Sequence, residues 1–216
     1  MNVLIVYAHH EESSFNAALK DVAIDTFKKL GHTVTVSDLY AEEFQPVGDE
    51  RDFTHQLKKD SFHYRKEQQH AYKNNTFAAD IIREQQRVIK SGVIIFQCPM
   101  WCFSVPAIVK GWFDRVLTKD FAYGKDMEYK TGGLNQKTAL LVMTTGGPER
   151  IYKKNGKHGS MNRILYPITR GMLAYCGFKV LDPFIAYEVE NISAQERQQY
   201  LTRYAKKLKR LFPAGF

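Results

Sequence analysis

Five short runs of apolar and β-branched residues constrain the fold of this chain more than any other feature of its sequence. They occupy residues 2–9, 33–40, 92–99, 138–145 and 179–187. The runs are apolar at nearly every position, which is typical of strands that are covered on both faces in a parallel sheet. Segments with a helical period of apolar residues separate them. This alternation predicts an α/β fold with a doubly wound parallel sheet and helices on both of its faces.

Helical periodicity and helix-ending residues locate the connecting helices. We predict helices over residues 14–30, 75–90, 105–118, 160–176 and 193–212. Gly31 and Gly177 follow two of these segments, as is common for glycine just past a helix end. Ser193 and Glu196 form a capping-box pattern at the start of the last helix.

The size and composition of the chain limit what it can be. Its 216 residues favour a single domain over residues 1–216, with insertions at about 41–74 and 119–137. The formal net charge of +8 admits anionic partners, but acidic residues are interspersed and no nucleic-acid-binding motif accompanies the charge. The three cysteines indicate a reducing compartment, and no apolar stretch approaches the roughly 18 residues of a membrane span. We therefore expect a cytoplasmic protein with no nucleic-acid partner and no membrane span.

The residues after the first apolar run offer groups that suit a phosphate. Ligands of open α/β sheets bind beyond the carboxyl ends of the strands, and here Ser13, Ser14 and Asn16 lie at a predicted helix start. Hydroxyls and free N–H groups at a helix N-terminus attract phosphate. An ordinary helix cap explains the same residues equally well. The segment lacks the G-x-G-x-x-G motif of a Rossmann-type nicotinamide site.

Two further strand ends contribute an aromatic segment and a polar one. Trp101 and Phe103 follow the third run, where they would contact a flat apolar ligand or form a hydrophobic plug. The Thr-Thr-Gly-Gly segment at 144–147 follows the fourth run. It can present hydroxyls and N–H groups to the edge of a ring, because glycine permits close approach of the backbone. A phosphate cradle, an aromatic wall and a polar edge at one side of a sheet describe a site for a flavin nucleotide.

Histidines are the remaining candidates for metal chemistry. His55, His63 and His70 are spaced by eight and seven residues, which fits no common ligand set. His9 and His10 are adjacent, and neighbouring residues of a strand point to opposite faces of the sheet. We therefore predict no metal site.

Three segments together resemble one family of enzymes. They read "YAHHEESSFNAALK", "PMWCFSVPAIVKGWFDRV" and "TTGGPERIYKKNGKHG", in that order along the chain. The resemblance is to the NAD(P)H:quinone oxidoreductases, the DT-diaphorase-like branch of the flavodoxin-like proteins. It implies a five-stranded flavodoxin-like sheet, FAD in preference to FMN, and NAD(P)H and quinones as substrates. It also implies a homodimer with active sites at the subunit interface.

The resemblance further implies roles for individual residues. Those that would bind the cofactor are His9, Phe15, Asn16, Ala17, Ala18, His63, Met100, Trp101, Cys102, Phe103, Thr144, Thr145, Gly146, Gly147, Tyr152, Glu190 and Arg197. Within this set, Glu190 and Arg197 would hold the adenine half of FAD, and His63 would reach in from the other subunit. The partner's share of the substrate pocket would come from Tyr123, Lys125 and Tyr175.

Tyr152 and His158 are the predicted catalytic residues. By the resemblance, hydride passes from NAD(P)H to the quinone through FAD with ping-pong kinetics. Tyr152 would donate a hydrogen bond to the negative charge that develops near N1 and O2 of the flavin, and His158 would supply or relay the compensating proton. A surface-loop histidine without a catalytic role is the alternative for His158.

Two residues depart from the usual pattern of the family, and two other functions stay open. Cys102 stands where a second aromatic residue is usual, which implies a roomier pocket. Lys125 stands where an aromatic residue is common, which would favour anionic or polar acceptors. One alternative function is an ancillary regulatory subunit of a potassium efflux system, a role that some bacterial relatives have. The other is a flavodoxin-type one-electron carrier, although such carriers are usually acidic and shorter.

Overall fold

In the computed structural model, which describes residues 1–57 and 61–214, the apolar runs form one parallel sheet. Its strands are β1 (Asn2–Tyr7), β2 (Thr33–Asp38), β3 (Val93–Pro99), β4 (Thr138–Thr144), β5 (Lys179–Val180) and β6 (Phe184–Ala186). Their order is β2-β1-β3-β4-β5, and β6 also pairs with β4. β3 is buried at every residue, whereas β2 lies at an edge and mostly alternates between exposed and half-buried positions. The predicted doubly wound, five-stranded parallel sheet is confirmed.

Helices cover both faces of this sheet. They are α1 (Phe15–Lys29), α2 (Tyr64–Asn74), α3 (Ala79–Lys90), α4 (Ala107–Val116), α5 (Met161–Ile168) and α6 (Ala194–Leu211). α1 and α6 pack on one face, where Leu19, Phe27 and Tyr204 are fully buried, and α3, α4 and α5 supply the core of the other face. The capping box of Ser193 and Glu196 begins α6 as predicted. No helix in the described ranges has both the length and the apolar character that crossing a membrane requires.

The helix predicted over 75–90 begins later than expected, at the first residue of α3. Asn75 adopts a left-handed φ of 55° and ends α2, and Phe77 then pairs with Phe53 through an antiparallel β-bridge. This bridge requires an extended backbone, so a continuous helix is excluded here. The insertion at 41–74 carries an additional element, as expected, and that element is α2.

The fifth run and the helix before it are also interrupted. The run at 179–187 forms two strands, β5 and β6, because Pro183 between them has no N–H to donate to a ladder. Both pair with β4, so they share one position in the sheet. The helix predicted over 160–176 changes after α5 into a π-helical segment over Thr169–Ala174. Gly177, with a φ of 102°, follows it and allows the chain to turn.

A buried ion-pair network ties the first insertion to α4. The guanidinium of Arg115 is 3% exposed and lies 2.7 Å from Asp52 and 2.7 Å from Asp80. It also donates to the main-chain oxygen of Gln45 at 2.6 Å, and the hydroxyl of Tyr64 donates to Asp52. Because both carboxylates and the guanidinium are paired and hydrogen-bonded, the network fixes the position of the insertion against the sheet layer.

Candidate functional site

The carboxyl ends of β1, β3 and β4 meet at a groove of about 300 Å³. The chain leaves β1 to form β2 on one side and β3 on the other, so this edge is the topological switch point at which open α/β sheets bind ligands. Ten of the predicted cofactor-binding residues line the groove: His9, Phe15, Asn16, Met100, Trp101, Thr144, Thr145, Gly146, Glu190 and Arg197. The lining is completed by Ser14, Pro99 and Val189.

The start of α1 has an ordinary helix cap and also free N–H groups that suit a phosphate, which were the two alternatives left open by its sequence. Ser14 is an N-cap, since its hydroxyl accepts from the N–H of Ala17 at 3.1 Å and its main-chain oxygen accepts from Ala18 at 3.1 Å. Among the described residues, no acceptor pairs with the N–H groups of Phe15 and Asn16. These two donors, at the positive end of the helix dipole, leave room for an anion beside the cap.

A buried polar cluster lies under the groove. Asn16 is 2% exposed and its Nδ2 donates to Thr144 Oγ1 at 2.7 Å. Gln97 Nε2 donates to the main-chain oxygen of Asn16 at 2.6 Å. The side-chain oxygens of Asn16 and Gln97 have no partner among the described residues, and such groups cost about 1–3 kcal/mol each when left unpaired. Asn16 also lines the groove, where a ligand donor would satisfy its oxygen.

The aromatic segment after β3 is a tight two-residue turn. Trp101 and Ser104 exchange main-chain hydrogen bonds of 3.0 and 2.9 Å, and Cys102 and Phe103 both adopt a left-handed φ, of 48° and 62°. Left-handed backbone costs a non-glycine residue about 1–2 kcal/mol, so the turn is strained. Trp101 is 42% and Phe103 49% exposed. Trp101 lines the groove, Phe103 packs on His158, and neither side chain plugs the sheet.

The structure brings the two predicted catalytic residues together. The ring centroids of Tyr152 and His158 are 5.5 Å apart, and the ring of Phe103 stands 5.0 Å from His158 in an edge-to-face arrangement. A Cβ placed on Gly147 would lie 3.1 Å from the Tyr152 hydroxyl, so this glycine lets the tyrosine approach the polar segment after β4. The ring of Tyr187 is tilted against that of Tyr152 with the centroids 5.8 Å apart, and burial raises the pKa of Tyr187 to about 12.

His9 and His10 differ from expectation. We expected their rings on opposite faces of a strand, but they stack with centroids 4.9 Å apart. β1 ends at Tyr7, so the alternation of a strand does not apply to the two histidines. The N–H of Glu11 donates to His9 Nδ1 at 3.0 Å. Burial, and then the proximity of His10, lower the pKa of His9.

The remaining predicted site residues lie in other places. Tyr123 and Tyr175 line a second cavity of about 500 Å³, which shares no lining residue with the groove. Lys125 is exposed and does not line this cavity, and His63 is the exposed N-cap residue of α2. Within residues 1–57 and 61–214, no three His, Cys, Asp or Glu side chains are grouped to hold a metal ion.

Two residues near the groove were not predicted from the sequence. Gln97 interrupts the third apolar run, and a polar residue within a run buried on both faces is a usable signal of a buried polar site. Tyr187 stands at the end of the fifth run, directly after β6. Its position beside the other strand ends follows from the pairing of β6 with β4.

Comparison with known proteins matches the chain along nearly all of its length. A family model described as having a flavodoxin-like fold matches residues 1–208. Ribosyldihydronicotinamide dehydrogenase (quinone) of Homo sapiens is 44% identical over 211 residues, which cover 97% of this chain and 91% of the human protein. NAD(P)H dehydrogenase (quinone) 1 of Cavia porcellus is 42% identical over 210 residues, which cover 97% of this chain and 76% of that protein.

A solved structure is similar over the same extent. A crystal structure of a protein from Klebsiella pneumoniae, named as a candidate quinone reductase, superimposes with a TM-score of 0.94 and 36% sequence identity. The match covers 99% of this chain and 86% of the Klebsiella chain. The flavodoxin-like character of the fold, first inferred from sequence motifs, is confirmed.

Proposed function

We propose FAD as the cofactor of this chain, which belongs to the flavodoxin-like family of NAD(P)H quinone oxidoreductases. As a member of this family it is an oxidoreductase that reduces quinones with NAD(P)H, and the family uses a flavin. The reported relatives are dehydrogenases and reductases, and they lend no support to the role of an ancillary subunit.

One observation carries the assignment of the flavin to the groove. Eight of the predicted residues lie at or after the ends of β1, β3 and β4 and converge there, and among the described residues two N–H donors at the start of α1 and the buried oxygen of Asn16 have no partner. These groups fit a phosphate and a donor on the ribityl chain or ring. Glu190 and Arg197 line the same groove, and because the resemblance implies that they hold the adenine half of FAD, their position supports FAD over FMN.

The chain's own residues would hold and shield the cofactor. The N–H groups of Phe15 and Asn16 would bind its phosphates. The segment at 144–147 would meet the polar edge of its ring, since a Cβ on Gly146 has no neighbour closer than 4.0 Å and the backbone there is open to close approach. Trp101 and Phe103, supported by Met100 and Cys102, would cover the ring and exclude water.

Tyr152 and His158 would handle charge and proton beside the bound ring. A bound flavin supplies hydride transfer, taking two electrons from NAD(P)H and passing them to the quinone in turn. The hydroxyl of Tyr152 would donate a hydrogen bond to the pyrimidine edge of the ring, where negative charge develops. His158 is half-buried between Tyr152 and Phe103, and its imidazole would hold the compensating proton. This packing favours a catalytic role over that of a solvated surface histidine.

A second copy of the chain would complete the site. Trp101 and Phe103 are 42% and 49% exposed, and the tyrosines of the second cavity lie elsewhere on the same chain. In a homodimer, Tyr123 and Tyr175, with Lys125 near them, would face the groove of the other subunit, and His63 would approach its cofactor.

The experiment that tests this function starts with the purified protein. The released cofactor is identified by mass, and consumption of NADH and of NADPH is compared with menadione as the acceptor. We expect FAD and rapid turnover. A colourless preparation that binds neither FAD nor FMN, and that does not turn over, contradicts the proposal.

The catalytic pair is tested with substitutions that keep the fold. Tyr152→Phe with His158→Gln should slow reduction of the flavin by NAD(P)H by about 100-fold or more, because general acid–base catalysis contributes about 10²–10⁴-fold. The flavin should stay bound. Tyr166→Phe, at a 61% exposed position, is the control and should leave the rate unchanged. A double variant that is reduced as fast as the parent excludes the proton role.

A further inference from the structure

The second cavity, here called the tyrosine cavity, has the size and lining of a site for an aromatic ring. Its volume of about 500 Å³ lies within the usual range of small-molecule pockets. Tyr123 and Tyr175 line it with ring centroids 5.5 Å apart, and Phe113, Leu117 and Met172 add apolar surface. Aromatic ligands stack on such walls with ring separations of about 4.5–7 Å.

The charges of the tyrosine cavity leave one cation available. Its ionisable lining residues other than tyrosine and cysteine are Arg65, Lys110 and Asp114. The ammonium of Lys110 lies 2.6 Å from the carboxylate of Asp114, so these two charges cancel. No carboxylate of residues 1–57 or 61–214 forms a salt bridge with Arg65, whose guanidinium lies 5.7 Å from the centre of the Tyr123 ring. An anion on a ring stacked against Tyr123 would lie within reach of this guanidinium.

A buried acceptor stands beside this cation. Gln68 lines the tyrosine cavity and is 2% exposed. Its Nε2 donates to the main-chain oxygen of Asp114 at 2.9 Å. A carbonyl oxygen can only accept, so this bond fixes which way the amide points. Gln68 Oε1 is therefore the free end, and no described group donates to it. A buried acceptor without a donor needs an explanation, and a ligand hydroxyl or N–H in the adjoining cavity would supply the missing donor.

We propose that the tyrosine cavity binds flat aromatic compounds that carry an anionic substituent, with Arg65 pairing the anion and Gln68 accepting a hydrogen bond from the ligand. The preferred acceptors of the enzyme are then acidic quinones, such as those that bear a sulfonate or a carboxylate. This substrate class rests on the proposed function, whereas the binding of aromatic anions to the cavity does not.

Kinetics with a matched pair of quinones test the substrate class. Menadione is the neutral acceptor and 1,4-naphthoquinone-2-sulfonate the anionic one. Arg65→Gln should raise the KM for the sulfonate about tenfold, as expected for loss of a charge-assisted hydrogen bond in a partly exposed site. It should raise the KM for menadione far less, so that the ratio of the two KM values changes by about tenfold. Arg65→Lys keeps the charge and should restore part of the preference.

A control variant separates this effect from general attraction. The net charge of +8 draws anions to the whole surface, so removing any cation weakens their binding slightly. Lys66→Gln removes the same charge from the next residue of α2, which is exposed and does not line the tyrosine cavity. It should leave both KM values within twofold of the parent. Equal effects of Arg65→Gln and Lys66→Gln, or equal effects of Arg65→Gln on both quinones, overturn the proposal.

Calorimetry with ligands that are not reduced makes the proposal independent of turnover. Naphthalene-2-sulfonate should bind the flavin-loaded protein at least tenfold more tightly than 2-naphthol, and Arg65→Gln should abolish the difference. If neither quinone is reduced, the proposed function fails, and this titration still tests whether the tyrosine cavity binds aromatic anions. Equal affinity for the two naphthalenes overturns the cavity proposal and leaves quinone reduction standing. Thermal unfolding of each variant checks that it is folded.

Discussion

Gly146→Ala adds one methyl group to the lining of the groove without disturbing the protein around it. A Cβ at this position has one neighbour within 4 Å, an Oε1 of Glu190 at 4.0 Å. Gly146 is not among the residues with a positive φ, so alanine adopts its backbone conformation freely. The added carbon therefore meets nothing in the protein and occupies only the space that the cofactor is proposed to use.

The two expected effects have opposite signs. Replacing glycine by alanine where the backbone allows it stabilises the folded state by about 0.4–1 kcal/mol, because the unfolded chain loses freedom. Forcing a methyl group against a packed partner costs about 1–3 kcal/mol. The flavin-free protein should thus be slightly more stable than the parent. Its affinity for FAD should fall by about 5- to 150-fold, at about 1.4 kcal/mol per tenfold.

The assay measures both quantities on one preparation. Urea unfolding of the flavin-free protein gives the stability, and quenching of FAD fluorescence on titration gives the affinity. Gly92→Ala is the matched control, because Gly92 also has open space and no positive φ. It directly precedes β3, at the opposite edge of the sheet, and should raise stability without changing the affinity for FAD. If Gly146→Ala binds FAD as tightly as Gly92→Ala does, the cofactor does not lie against this segment and the assignment of the groove is wrong.

Three other perturbations test neighbouring features. The folded-state pKa of His9 lies below the unfolded value of about 6.5, so protonation of His9 opposes folding. In urea unfolding, the flavin-free protein should therefore lose stability as the pH falls through about 6.5. Binding of a flavin phosphate should raise the pKa of His9 in an NMR titration. A pKa that does not move when FAD is added contradicts a phosphate beside His9. Cys102→Gly relieves about 1–2 kcal/mol of left-handed strain but costs about 0.5–1 kcal/mol because glycine loses more backbone entropy on folding. Its unfolding free energy should therefore stay within about 1 kcal/mol of the parent, and a large loss of stability argues against the two-residue turn. Phe103→Ala should weaken FAD binding. Asp52→Ala leaves Arg115 with one carboxylate and should destabilise the fold by about 3 kcal/mol in urea unfolding, and a loss below about 1 kcal/mol would mean that the network is not formed.

Much of the fold is predictable because parallel strands covered on both faces leave a strong pattern. β3 and β4 are buried at almost every position, which is typical of central strands of a parallel sheet. The helix starts at Ser14 and Ser193 followed from capping residues whose bonds are local. In each case the deciding contacts lie within a few residues of the signal, so the sequence alone contains the information.

The errors occur where distant residues decide the local backbone. Asn75 and Phe77 have helix-compatible neighbours, but the bridge between Phe77 and Phe53 holds the segment extended. The stacking of His9 on His10 depends on β1 ending at Tyr7, two residues earlier than the apolar run. The position of α2 likewise depends on hydrogen bonds to distant residues, since Tyr64 donates to Asp52 and Gln68 donates to the main-chain oxygen of Asp114 in α4. Such contacts exist only after the chain has folded, so periodicity cannot reveal them.

The groove was predictable for a topological reason, and its chemistry for a different one. Any chain with the order β2-β1-β3-β4-β5 brings the ends of β1, β3 and β4 side by side, so residues 9–18, 100–103 and 144–147 must meet whatever their identity. Their identity then selects the ligand, because free N–H groups, exposed aromatic rings and an open glycine backbone suit a phosphate, a flat ring and its polar edge.

No topological rule of this kind predicts the tyrosine cavity. It forms where α2, α4 and the segment after α5 converge. Its proposed selectivity depends on Arg65, a residue of the insertion that does not follow the end of a strand. Differences in substrate among proteins that share this groove should therefore be sought in the insertion and not at the strand ends.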